Sequence, residues 1–252
     1  MKPGDIVFLS ASVPTREGWR EDARPLQIEE AVIALARGVF ARRGRLLFGG
    51  HPSISPLITS VAGEYLGPDP RRAVRPVITF QSEYFRGSLP DETWDLYRMG
   101  WASIQWTPVV KGADEQATRR NSLALMRDWM LLGSSTPKDV AVNCRLSAPI
   151  AMVAVGGMEG VCEETAVFLR RQRDGAFPPG SNVYVIATGG GAARRLAYDP
   201  ERAFDGVRDE LGPENSHALI GAKKDGRLVV LDSDSTFPPY AAITQRMLDT
   251  LD

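Results

Sequence analysis

The chain is expected to be an α/β protein: a Rossmann-like, doubly wound, mostly parallel sheet with helices on both faces. Three observations predict this. Apolar runs such as Ile150 to Val155 are continuous rather than alternating, as in strands covered on both faces. Stretches of helical period separate these runs, which implies crossovers between parallel neighbours. Glycine and small polar residues gather where the runs end, the place where open α/β sheets bind ligands.

Asp5 to Ser10 is the first strand, and Ala11 to Arg24 a polar loop broken by Pro14 and Gly18. A helix follows from Pro25 to Arg43, with Ile28, Val32, Leu35 and Val39 on one face and Pro25 suited to its first turn. Arg45 to Phe48 is the second strand and Ser55 to Tyr65 the next helix. Arg75 to Phe80 is the third strand. Gln81 to Gly100 is aromatic-rich, an irregular segment with a short helix over Glu92 to Met99. Ser103 to Val109 is a fourth strand, and Ala113 to Leu132 a helix stopped by Gly133. Beyond a polar stretch from Gly133 to Ser147, the strand Ile150 to Val155 leads through a glycine turn to a helix opened by Glu163 and Glu164. Asn182 to Thr188 is another strand. From His217 the pattern predicts a hairpin turning at Lys224-Asp225-Gly226, then an amphipathic helix aligning Tyr240, Ile243, Met247 and Leu251.

The 252 residues suffice for one large core, and no repeat or linker divides them. A single domain is therefore expected over 1–252, its core about 5–198, with the hairpin and helix of 216–252 packed on it. With 43% hydrophobic and 24% charged residues the composition is that of an ordinary globular protein rather than a disordered one. The net charge of -1 combines 25 Arg with only 5 Lys, so the cations are mostly of the planar kind that suits carboxylate and phosphate. Their scatter argues against a nucleic-acid binder. Cys144 and Cys162 match no zinc or redox spacing, and His51 and His217 form no metal pair, so no metal is expected. The start lacks a signal-peptide pattern and no apolar run nears the ~20 residues of a membrane helix. A cytoplasmic protein without a membrane partner is expected.

Four small-residue clusters are expected to converge at the strand ends: Ser10-Ala11-Ser12, Gly49-Gly50-His51-Pro52-Ser53, Gly156-Gly157-Met158-Glu159-Gly160 and Thr188-Gly189-Gly190-Gly191. A single glycine turn serves chain reversal alone. Four together favour an anionic, nucleotide-like ligand. Amides of Gly49, Gly50, Gly157 and Gly160, at the positive ends of helices, would meet phosphate oxygens, with Ser10, Ser12 and Ser53 as directed donors. Arg120 or Arg127 would offset remaining charge, and Glu159 or Glu164 would accept from ribose hydroxyls. Plainer readings stand beside these. Glu163 and Glu164 suit a first helical turn, Arg119, Arg120 and Arg127 a solvated face paired with Asp114, Glu115 and Asp128, and His51 a loop residue bonded to backbone. Tyr84, Phe85, Trp94, Tyr97, Trp101 and Trp106 read as core or interface.

The Gly-Gly-x-x-Gly-x-x-Glu-Glu turn from Gly156 to Glu164, with Phe8-Leu-Ser-Ala-Ser12 and Leu47-Phe-Gly-Gly-His-Pro-Ser53, resembles the SLOG superfamily of Rossmann-like domains. That superfamily includes the LOG phosphoribohydrolases, which release cytokinin bases from nucleoside monophosphates, and nucleotide-derivative sensors of bacterial defence proteins and certain ion channels. The resemblance covers most of residues 5–198 and is closer to the defence-associated sensors. Against the hydrolase motif Pro-Gly-Gly-x-Gly-Thr-x-x-Glu, this chain has Val155 for proline, one extra residue before Gly160 and Val161 for threonine, while Glu164 matches the glutamate. In the hydrolases that carboxylate, with an arginine from the preceding helix, supports cleavage of the N-glycosidic bond. Arg120 and Arg127 are the counterparts the resemblance offers.

Three readings follow. One is a binding module for a nucleotide, an ADP-ribose derivative or another NAD-derived signal, needing no cofactor and passing the event to an effector partner. Another is a phosphoribohydrolase using Glu164 with Arg120. The third, a nicotinamide-dependent oxidoreductase, ranks last because Ser10-Ala-Ser-Val-Pro14 stands where Gly-x-Gly-x-x-Gly would follow the first strand. The resemblance, the apolar stripe of Tyr240 to Leu251 and the aromatic segment Trp94 to Trp106 together suggest a homo-oligomer.

Overall fold

The computed structural model describes residues 1–69, 71, 73–131, 147–199, 203, 221–232 and 238–251. Gly133 and His217, on which the sequence reading placed a helix stop and the start of a hairpin, lie outside them, as does Cys144. Seven strands form one sheet: β1 (Ile6–Ser12), β2 (Arg45–Phe48), β3 (Val77–Ser82), β4 (Ala102–Thr107), β5 (Ala151–Gly156), β6 (Asn182–Ile186) and β7 (Leu228–Val230). Their spatial order is β4-β3-β2-β1-β5-β6-β7. Every pairing is parallel, so the expected mostly parallel sheet is parallel throughout its described strands.

Helices α1 (Pro25–Ala41), α2 (Ser55–Tyr65) and α3 (Asp91–Arg98) carry the chain from β1 outward to β4. Helix α4 (Glu115–Met130) begins the return towards β5, and α5 (Glu159–Arg173) and α6 (Gly191–Tyr198) follow β5 and β6. The alternation of β1 side chains explains the two layers. Val7 and Leu9 enter the layer of α1, α2, α3 and α7 (Tyr240–Asp249), while Ile6 and Phe8 enter that of α4, α5 and α6. Phe8 is fully buried, and its truncation to alanine would cost about 3–5 kcal/mol.

Several expectations change. No hairpin forms at Lys224-Asp225-Gly226: residues 221–224 make a helical turn, and Leu228–Val230 joins the sheet as a parallel edge strand beside β6. β-branching at Val229 and Val230 supports that strand, whereas the Asp-Gly signal serves a helix-to-strand turn. Helix α5 opens at Glu159 rather than at Glu163, which leaves Glu163 and Glu164 in its second turn. The stripe of Tyr240, Ile243 and Met247 is intramolecular core, and Leu248 packs there beside α1. Trp94 and Trp106 lie 6.0 Å apart within the chain, with the Arg86 guanidinium 4.0 Å over the Trp106 ring. Neither feature is therefore an argument for a second copy.

The order of the strands reverses between β1 and β5. Their carboxyl ends lie side by side, with Ser12 opposite Gly156, and the chain leaves them towards opposite faces. A crevice at this position follows from the topology alone.

Candidate functional site

A cavity of about 450 Å³ opens there, within the usual range for small-ligand sites. Ala11 and Ser12 line it from β1, Gly49 to Pro52 from β2, Gln81 from β3, and Met158, Gly160 and Glu164 from the start of α5. Helix α4 lies across it, contributing Arg119, Leu123, Met126 and Arg127. Those four positions share one helical face, because steps of three and four residues return to the same side.

The most buried chemistry lies beneath α4. Ser10 Oγ donates to Glu164 Oε2 at 2.5 Å. Arg127 Nη1 donates to Glu163 Oε2, and Arg127 Nε lies 3.5 Å from Glu164 Oε1. The longer pair is an ion pair rather than a well-formed hydrogen bond, and Nε has no hydrogen-bond partner of its own among the described residues. All three charged side chains are at least four-fifths buried. Burial pushes the Glu164 carboxyl above the ordinary carboxylate range, and Arg127 and Ser10 oppose that shift without cancelling it. Gly160 makes the arrangement sterically open: a Cβ there would sit 2.6 Å from Arg127 Nη2.

On β2, the turn at Gly50 (φ +64°) has a left-handed conformation that favours glycine, and a Cβ would meet Gln81 and Thr79. His51 follows. Its Nδ1 accepts from Ser53 N–H at 3.2 Å and lies 2.9 Å from Ser53 Oγ, so the neutral ring carries its proton on Nε2, as assigned from these partners. Burial lowers the His51 pKa and keeps the ring neutral. Ser53 Oγ also accepts from Val13 N–H at 3.0 Å, which ties the β2 loop to the end of β1.

Other expected site residues are engaged elsewhere. Gly157 N–H donates to Ser12 C=O at 2.7 Å and does not point at a ligand. Glu159 accepts from Arg16 and from Trp19 Nε1, and so anchors the loop before α1 rather than facing the cavity. Arg120 is exposed and outside the cavity, while its neighbour Arg119 lines it. The Thr188-Gly189-Gly190 cluster is also apart from it. Asp232 accepts from the Ala187 and Thr188 N–H groups and from Thr188 Oγ1, filling with the chain's own carboxylate the place an anion would take. Gly189 C=O accepts from Arg24 N–H, closing the loop onto β6.

Sequence reasoning missed Arg16, Gln81, Phe85, Leu89, Pro90 and Arg119. The stripe of Arg119, Leu123, Met126 and Arg127 was legible as helical period; the others needed β3 to extend past Phe80 and the loop before α1 to fold back. Among the described residues, no group of three His, Cys, Asp or Glu is arranged to hold a metal, and no helix is long and apolar enough to cross a membrane.

A family model for the SLOG cluster3 family matches residues 18–212. The chain belongs to the SLOG cluster3 family. The match spans the ends of β2 and β5, α4 and the Gly156 to Glu164 turn, so the lining of the cavity from Gly49 onward falls within it. No curated protein sequence matches this SLOG chain. Among solved structures, two of the molybdenum cofactor carrier protein MCP from Chlamydomonas reinhardtii are similar at 13% and 14% identity, with TM-scores of 0.45 and 0.44. Each alignment covers 100% of this chain and 98% of the other.

Proposed function

We propose that this SLOG chain binds a nucleotide or an NAD-derived nucleotide in the cavity between β1 and β5, and that the bound state is the signal it passes to an effector partner. The observation that carries this reading is the charge of the lining. Arg16, Arg119 and Arg127 all line the cavity; Arg16 pairs with Glu159 and Arg127 with Glu163 and Glu164, while Arg119 makes no ion pair among the described residues. An anionic ligand would supply the counter-charge that Arg119 lacks, and guanidinium groups suit phosphate oxygens in geometry as well as sign. The neutral His51 adds an Nε2–H donor without further charge. Recognition on this reading needs no metal or bound cofactor. The protein acts in the cytoplasm, as a homo-oligomer, for which light scattering at micromolar concentration should give at least twice the chain mass.

A second reading is favoured by one specific contact. Arg127 Nε, 3.5 Å from Glu164 Oε1 at the cavity floor, reproduces the arginine-glutamate pairing expected of a phosphoribohydrolase. In that case the carboxylate would stabilise an oxocarbenium-like ribose as the N-glycosidic bond opens. Calorimetry against AMP, CMP, ADP-ribose, cyclic ADP-ribose isomers and NAD, with chromatography of each mixture, separates the two. A ligand recovered intact supports the sensor, and free base or nicotinamide supports the hydrolase. Binding of none of them contradicts both.

A further inference from the structure

One part of the cavity lining is largely apolar. Phe85, Leu89 and Pro90, from the segment joining β3 to α3, form it together with Leu123 and Met126 of α4. Phe85 is only half-buried, its ring set edge-on to Tyr84 at 4.8 Å between centroids, with the Arg119 guanidinium carbon over the ring, 6.0 Å from its centroid. A phenyl ring left on a cavity wall gives a planar ligand a surface to stack on. Arg119 and Arg127 are eight residues apart on α4, about 12 Å of helix. That span suits one nucleotide, with its phosphate towards Arg127 and its base towards Phe85.

Gln81 supplies the polar group at the base end. Its Nε2 donates to Gly49 C=O, and this bond fixes which way the carboxamide faces. Oε1 is therefore the acceptor available to a ligand. Turning the amide over would set Oε1 against the Gly49 carbonyl oxygen, lone pair against lone pair.

Resting on the nucleotide reading above, we infer that Phe85 stacks the base and Gln81 Oε1 accepts from its exocyclic amino group. The ligand is then a nucleotide with an amino group at adenine C6 or cytosine C4, and hypoxanthine, guanine and uracil are rejected because they carry a carbonyl at the corresponding position, facing a locked acceptor.

Calorimetric titration of the full chain with AMP against IMP, and CMP against UMP, tests this. The amino member of each pair should bind about tenfold more tightly, the value of one well-placed hydrogen bond. Gln81→Leu should bring the ratio within each pair towards one, whereas a merely structural disturbance would weaken both members alike and keep the ratio. Phe85→Ala should weaken AMP by about 5- to 150-fold. Phe85→Leu, which keeps apolar volume but removes the ring, should also weaken it and guards against a folding defect in the alanine variant. Equal binding of amino and oxo nucleotides, or unchanged affinity in Phe85→Leu, overturns the base assignment and leaves the nucleotide reading standing. If none of the four nucleotides binds, the base assignment falls, while the nucleotide reading falls only if ADP-ribose, its cyclic isomers and NAD fail to bind as well.

Discussion

Ser10, on β1, and Glu164, in the second turn of α5, share a 2.5 Å hydrogen bond across the line where the sheet reverses its order. The bond joins the two strand-helix units that form the crevice. It also holds a buried carboxylate whose neutral form is favoured by desolvation.

That carboxylate has a consequence for stability against pH. The folded-state pKa lies above the unfolded value, so the folded protein binds the extra proton between the two. Stability from this group is greatest below the unfolded pKa and falls as pH rises through the raised folded pKa. Glu164→Gln should flatten this dependence and raise Tm at neutral pH relative to the parent, measured by thermal melts across the carboxylate range and up to neutrality. A steeper decline in the variant would contradict the assignment.

Removing Arg127 should do the opposite. Arg127→Ala leaves Glu163 and Glu164 without their shared cation in a mostly buried site, and loss of about 3 kcal/mol is expected, the lower end for a broken buried pair because each group keeps some exposure. Urea denaturation measures it. The additional change Glu163→Gln should recover part of the loss.

Gly160→Ala probes the close approach. Alanine favours the helix by roughly 0.8–1 kcal/mol, but its Cβ displaces the end of the Arg127 side chain rather than backbone. Stability should change by less than about 1 kcal/mol while affinity for AMP falls, since the guanidinium moves from its place at the cavity floor. Unchanged AMP affinity would show that Arg127 does not meet the ligand.

The loop before α1 is latched by Glu159, which accepts from Arg16 and Trp19, and the Arg195 guanidinium stacks 3.8 Å over the Trp19 ring. Glu159→Ala should leave Tm almost unchanged, because the Arg16 partner is largely exposed and such pairs contribute under about 1 kcal/mol. Amide hydrogen exchange over residues 16–20 should nonetheless quicken, since the bond to Trp19 also goes.

The sheet was legible because its inner strands are buried on both faces: strand Arg45–Phe48 was read with the bounds it has, as was the helix Ser55–Tyr65 that follows it. The small-residue ends of β1, β2 and β5 pointed to the crevice for the same topological reason. Thr188 to Gly190 misled, because the anion-like partner of that turn is Asp232, far along the chain. Arg120 was chosen over Arg119 because adjacent arginines differ only in helical phase, which the face set by Leu123 and Met126 decides. Phe85 was read as core or interface because an aromatic beside Tyr84 and Trp94 gives no sign that one ring lines a cavity.

The most direct measurement is a crystal structure of the protein grown with the tightest-binding nucleotide of the calorimetric panel. Density is expected beneath α4, with the phosphate within hydrogen-bond reach of Arg127 or Arg16 and the rest of the ligand running past Gly49 to His51. Ligand density in the separate groove between Gly18 to Asp22 and Arg194 to Asp199, with the cavity empty, would contradict the assignment of the site.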